Sequence, residues 1–120
     1  LGTAEIYSEV EKFIEIKESI VIGQTWNNDI RIILFIVLNL KYEFNKDLLA
    51  RIKVKIRKNA SPRHVPSKII LVKDIPRTKN GKIVELAVKN IIEGNEIKNE
   101  DALANPEALE QYKNIKELNH

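Results

Sequence analysis

Seven consecutive apolar residues, Ile32 to Leu38, constrain this chain more than any other feature. A membrane-crossing helix needs about twenty such residues, so the run is too short to span a bilayer and reads as a buried strand. The stretch Ile30 to Leu40 is dense in β-branched residues and apolar on both faces, which places it at the centre of a sheet. Ser19 to Trp26 is also β-rich, and Asn27-Asn28-Asp29 forms a turn cluster between the two. An antiparallel hairpin is therefore predicted.

Helical signals surround the hairpin. Thr3 is a predicted N-cap with Glu5 in the first turn, and Ile6, Val10 and Phe13 recur at helical steps from about Ala4 to Phe13. Asn45 is a predicted cap for a second helix over 45–59, with Leu48, Leu49, Ile52 and Ile56 as its buried stripe. The outer face of that helix carries Arg51, Lys53, Lys55, Arg57 and Lys58. Ser61-Pro62-Arg63-His64-Val65-Pro66 cannot continue the helix and reads as an extended loop. Lys68 to Lys73 is a third short strand. Val84, Ala87, Val88, Ile91 and Ile92 give a third helix, stopped near Gly94. The remainder is polar, with Asn105-Pro106-Glu107 as a short helix start. Trp26 and Phe35 are expected in the core. The predicted fold is α+β, a small three-stranded sheet with helices packed on it, in the order helix-strand-strand-helix-strand-helix, plus a polar C-terminal tail.

Composition excludes several classes. With 43% hydrophobic and 31% charged residues, the 120-residue chain fits a globular domain rather than a disordered one. It has no cysteine, which removes disulfide frameworks and thiolate metal sites and is compatible with a cytoplasmic location. His64 and His120 are too far apart in sequence to read as a metal-ligand pair, so no metal site is expected in this chain. A net charge of +3 does not by itself call for nucleic acid or a membrane. The chain opens Leu1-Gly2-Thr3 and contains no methionine, so it is read as a piece of a longer protein.

The chemistry-bearing motif is Ile75-Pro76-Arg77-Thr78-Lys79-Asn80-Gly81-Lys82-Ile83. Pro76 sets the entry angle, and Asn80-Gly81 permits a tight turn with positive φ. Lys82 is then carried at the tip of a rigid turn, a compact cation suited to a phosphate or a carboxylate. Solvation is the ordinary fate of such a lysine, so its surroundings decide.

Taken together, these segments resemble the C-terminal domain of the adenylate-forming acyl-CoA synthetases, over essentially the whole chain. Gly2-Thr3-Ala4-Glu5-Ile6-Tyr7 resembles the helix after the family's hinge, and the segment from Ile75 to Lys82 resembles the family's last motif. Ser61-Pro62-Arg63-His64-Val65-Pro66-Ser67, Asn80-Gly81-Lys82 with Val84-Glu85, and Asn105-Pro106-Glu107 to Tyr112 are similar to the acetoacetate-activating branch. Glu85 stands where many members have arginine, as in that branch. Arg77 departs from the small or aromatic residue common at its position.

The resemblance implies that Lys82 is the adenylation lysine, with Asn80 and Gly81 in its loop. Arg57 falls where relatives place an arginine near the coenzyme A nucleotide, and a merely solvated basic face is the alternative. Residues 1–95 are expected to be the lid domain and 96–120 a tail with a short helix. The partners implied are a large N-terminal domain, acetoacetate, ATP and coenzyme A, with Mg2+ held in that larger domain. The isolated piece should be inactive. Acetate- or propionate-activating synthetases are the alternative within the family. From another class, a nucleic-acid-binding module could use the basic helix. No aromatic stacking pair stands near that helix, and neither a nucleic-acid nor a membrane partner is expected.

Overall fold

A computed structural model describes residues 2–98 and 100–120; Leu1 and Asn99 lie outside the described residues. The long apolar run sits where its two-faced character requires. Strand β1 (Ile16–Trp26) pairs antiparallel with β2 (Asp29–Leu38), and β2 pairs parallel with β3 (Lys68–Leu71), so β2 is the middle strand. Asn27 and Asn28 turn the hairpin with φ of 49° and 62°, the left-handed pair that matches strand twist in a two-residue loop. β1 starts at Ile16, three residues earlier than its β-rich core predicts, and an irregularity between Ile16 and Glu18 hides the alternation there.

Parallel neighbours need a long crossover, and α2 (Lys46–Asn59) supplies it. Asn45 caps this helix as predicted, its side chain accepting from the Leu48 N–H at 2.9 Å. Thr3 makes no side-chain cap on α1 (Ala4–Val10); its backbone carbonyl instead accepts from Ile6 and Tyr7. The loop expected to be extended contains one 3-10 turn, Pro62–His64, because proline at the first position suits a helical φ. The third helix, α3 (Glu85–Ile92), ends at Gly94 with φ of 77°.

Alternate residues of β2 feed two separate cores. Ile32, Leu34 and Ile36 pack with Ile6 and Val10 of α1 and with Leu48, Ile52 and Ile56 of α2. Ile33, Phe35 and Val37 face the other way, against Val88 and Ile91 of α3. The period of two along a strand thus builds three layers, α1 and α2, then the sheet, then α3. The polar C-terminal stretch contributes to the second core. Leu103, just after the 3-10 turn Glu100–Ala102, is buried there, as are Leu109 and Tyr112 of the turn Pro106–Tyr112 and Leu118 of the turn Lys116–Asn119. Tyr112 meets Phe35 edge-on, with ring centroids 4.9 Å apart. Trp26 corrects an expectation: it lies outside the buried core and is only half-buried, with the Arg31 guanidinium over its ring at 3.8 Å.

Candidate functional site

Pro76 delivers the chain into a short hairpin whose limbs meet at the antiparallel bridge between Arg77 and Ile83. The Gly81 N–H donates to the Thr78 carbonyl at 2.8 Å, closing a four-residue turn. Gly81 then adopts φ of 82°, the left-handed step that completes a three-residue hairpin loop. The Lys82 backbone is held from both sides: its carbonyl accepts from the Thr78 N–H at 2.8 Å, and its N–H donates to Thr78 Oγ1 at 3.1 Å. A fixed backbone thus carries a free stem. Lys82 is exposed, and none of the hydrogen bonds or ion pairs among the described residues uses its ammonium.

The carboxylate that anchors this loop is taken by a different cation. Arg77 donates from Nη2 to Glu18 Oε1 at 2.6 Å, and from Nη1 to the Gly81 carbonyl at 3.1 Å. One guanidinium therefore ties β1 to the residue beside Lys82, a use of its fork that lysine could not reproduce. Sequence reasoning noted Arg77 only as a departure from the expected residue type. Its partner lies 59 positions away, so no local pattern points to it.

Behind the turn stands Asn105. Its Oδ1 accepts from the Arg77 N–H at 2.8 Å, and its Nδ2 donates to Asp74 Oδ2 at 2.8 Å and to the Ile75 carbonyl at 2.9 Å. Predicted as the start of a helix, Asn105 makes no side-chain cap for Pro106–Tyr112, because its carboxamide is committed to this loop. The Tyr112 hydroxyl also donates to the Asp74 carbonyl, at 2.8 Å. Burial, with the negative charges of Asp74 and Glu18, pushes that phenol far above its ordinary range, so it stays a donor.

On the opposite side of the turn, Tyr7 spans two layers. Its hydroxyl accepts from the Val21 N–H on the outer edge of β1 at 2.9 Å and donates to Glu85 Oε2 at 2.6 Å. Glu85 is thus engaged at the start of α3.

Asn80, Gly81 and Lys82 share one turn; Arg57 does not join them. Arg57 lies exposed near the end of α2, beside a shallow cleft lined by Lys53, Val54, Pro62 and Val65. The layer containing α2 covers the sheet face opposite α3. The basic face of α2 is also less uniform than its sequence suggests. Arg51 pairs with Asp47 at 2.9 Å and with Glu15 at 2.7 Å, so a phosphate backbone would have to displace both acids to use it. His64 is occupied locally, 2.6 Å from Ser61 Oγ through Nδ1 and 3.8 Å from Glu5 through Nε2. Among the described residues no group of three or more histidines, cysteines, aspartates or glutamates could hold a metal, and no helix is long and apolar enough to cross a membrane.

Comparison with known proteins places this geometry. Residues 5–82 match the family model described as AMP-binding enzyme C-terminal domain, a match that ends on Lys82. The acetoacetyl-coenzyme A synthetase of Rhizobium meliloti is 53% identical over 118 residues, covering 98% of this chain and 18% of that protein. The acetoacetyl-CoA synthetase structure from Streptomyces lividans superposes on 100% of this chain with a TM-score of 0.88 at 36% identity, again covering 18% of the larger chain. A benzoate CoA ligase from Burkholderia xenovorans shares the fold over 74% of this chain, with a TM-score of 0.68 at 21% identity. The chain spans about a fifth of the length of these relatives.

Proposed function

The chain belongs to the AMP-binding enzyme C-terminal domain family, and from that premise we propose that it is the mobile lid of an ATP-dependent acetoacetate:CoA ligase. Residues 1–95 form the body of this lid and 96–120 its C-terminal extension. The larger N-terminal domain binds ATP and acetoacetate, with Mg2+ accompanying the nucleotide there. In the first half-reaction an acetoacetate oxygen attacks the α-phosphorus of ATP; an O–P bond forms, the bond to the β-phosphate breaks, and pyrophosphate leaves. In the second, the coenzyme A thiol attacks the acyl carbonyl, its proton is lost, and AMP leaves as the thioester forms.

Lys82 serves the first half. Negative charge crowds where the carboxylate meets the phosphate, and a cation already held there orients the one and stabilises the transition state of the other. The observation that carries this role is the Lys82 turn itself: a backbone fixed by two hydrogen bonds, with an exposed ammonium that no carboxylate among the described residues engages. Ile83 and Leu86 are exposed beside it in sequence, an apolar rim that a closing domain would cover.

Arg57 serves the second half as a contact for the phosphorylated nucleotide of coenzyme A. Its placement on the layer opposite α3 supports a lid that rotates between half-reactions and presents a different face to each. The 53% identity with the Rhizobium meliloti synthetase, which runs over 98% of this chain, supports acetoacetate over acetate or propionate as the acid. The test is pyrophosphate release by the full-length protein with each acid in turn. Acetoacetate should be activated with the highest kcat/KM; a preference for acetate or propionate would overturn the assignment.

A further inference from the structure

The lysine turn is held from behind by a part of the chain that the family match does not reach. That match stops at residue 82, whereas the residues behind the turn lie between 102 and 112. Leu103 pairs with Thr78 in an antiparallel bridge. The Ala104 N–H donates to the Arg77 carbonyl at 2.8 Å, and the Lys79 N–H donates to the Ala102 carbonyl at 3.3 Å. Asn105 closes the arrangement: it accepts from the Arg77 N–H and reaches Asp74 and Ile75 with its amide nitrogen. Arg77 is therefore fixed at its N–H, its carbonyl and its guanidinium, and the guanidinium holds the carbonyl of Gly81, immediately before Lys82.

We propose that Asn105 is a positioning residue for Lys82, through which the C-terminal extension sets the geometry of adenylate formation. This rests on the adenylation role proposed above. A hairpin of seven residues joined to the domain only at its base retains freedom that must be removed in the transition state. A carboxamide that makes three hydrogen bonds across 28 or more positions removes it beforehand. Asn suits the task because it offers an acceptor and two donors in one plane; aspartate would oppose the Asp74 carboxylate, and alanine would offer nothing.

The test uses the full-length synthetase and both half-reactions. Asn105→Ala should lower kcat for acetoacetate-dependent pyrophosphate release about tenfold or more, with KM for ATP and acetoacetate changing less than about threefold. Thioester formation from supplied acetoacetyl-adenylate should stay within about twofold of the parent. Leu118→Ala, which removes a buried side chain of the extension away from the turn, should lower the melting temperature without separating the two half-reactions. A purely structural Asn105 would depress both half-reactions together, and that result would overturn the proposal.

Exchange of the pair, Asp74→Asn with Asn105→Asp, reverses donor and acceptor across the 2.8 Å contact and keeps an oxygen for the Arg77 N–H. It should recover part of the rate lost in Asn105→Asp alone, since the bond to the Ile75 carbonyl stays lost. If Asn105→Ala does not accumulate, this comparison decides: recovery without a matching rise in melting temperature supports positioning, and equal rates reject it. Lys82→Ala separates the two levels. Intact pyrophosphate release in Lys82→Ala removes the adenylation role itself. Abolition there, with Asn105→Ala indistinguishable from the parent, leaves that role standing and removes only the one proposed for Asn105.

Discussion

Arg77 Nη2 lies 2.6 Å from Glu18 Oε1, which fastens the limb entering the lysine turn to the first strand of the sheet. Both side chains are partly exposed, at 33% and 22%, so solvent screens the pair and its worth is limited. A double-mutant cycle with Arg77→Ala and Glu18→Gln, read by urea denaturation of the chain, should give a coupling of about 0.5–1 kcal/mol at low salt. The coupling should shrink as ionic strength rises. A coupling near zero at low salt would show that the contact carries no stability.

Gly81 sits at φ of 82° with open space around the position of an added Cβ. The cost of a side chain there is conformational, not steric crowding. Gly81→Ala should destabilise the domain by about 1–2 kcal/mol, and Gly81→Asn by less, since asparagine tolerates the left-handed region. Equal stability of the two variants would contradict this reading of the turn. In the full-length protein Gly81→Ala should also slow pyrophosphate release more than thioester formation.

Glu9 supplies the pH dependence. A hydrogen bond from Asn59 at 2.8 Å, then one from Lys12, holds its carboxyl below the ordinary value of 4.5. A carboxyl depressed by folding contributes stability that is complete above its unfolded pKa and is lost as pH falls through the lower folded value. Denaturation midpoints should therefore decline below about pH 4.5, and Glu9→Gln should flatten part of that decline. An unchanged slope in Glu9→Gln would mean that other carboxyls carry the acid limb, with Glu15, similarly depressed by Arg51, the next to test.

Arg57 stands apart from the lysine turn, and its variants should behave differently. Arg57→Ala in the full-length protein should raise KM for coenzyme A several-fold and leave KM for ATP almost unchanged. The reverse pattern would place Arg57 in the first half-reaction or in neither.

Local pattern carried much of this architecture. A two-faced apolar run has no stable place except mid-sheet, an Asn-Asn step suits a two-residue hairpin, and Asn45 before Leu48, Ile52 and Ile56 announces a capped amphipathic helix. The parallel pairing of β3 was not legible, because strand direction is set by the crossover and not by the strand's own residues. The Asn80-Gly81-Lys82 turn was legible from its glycine. Its supports were not: Arg77 reaches Glu18 across 59 positions and Asn105 reaches Arg77 across 28, and neither contact leaves a periodic trace. The C-terminal stretch read as polar because the residues it buries most deeply, such as Leu103, Leu109, Tyr112 and Leu118, are scattered along loops and 3-10 turns rather than on one helical face. Trp26 was misplaced because burial was inferred from residue type, whereas its ring is a platform for Arg31.

The central claim is that Lys82 acts in one half of a two-step reaction. The most direct measurement compares Lys82→Ala with the parent in the full-length synthetase, following acetoacetate-dependent pyrophosphate release and, separately, thioester formation from supplied acetoacetyl-adenylate. The account predicts that the first falls by at least about a hundredfold, as for loss of a preorganised charge at a transition state, while the second is retained. Equal loss in both, or undiminished pyrophosphate release, would contradict it.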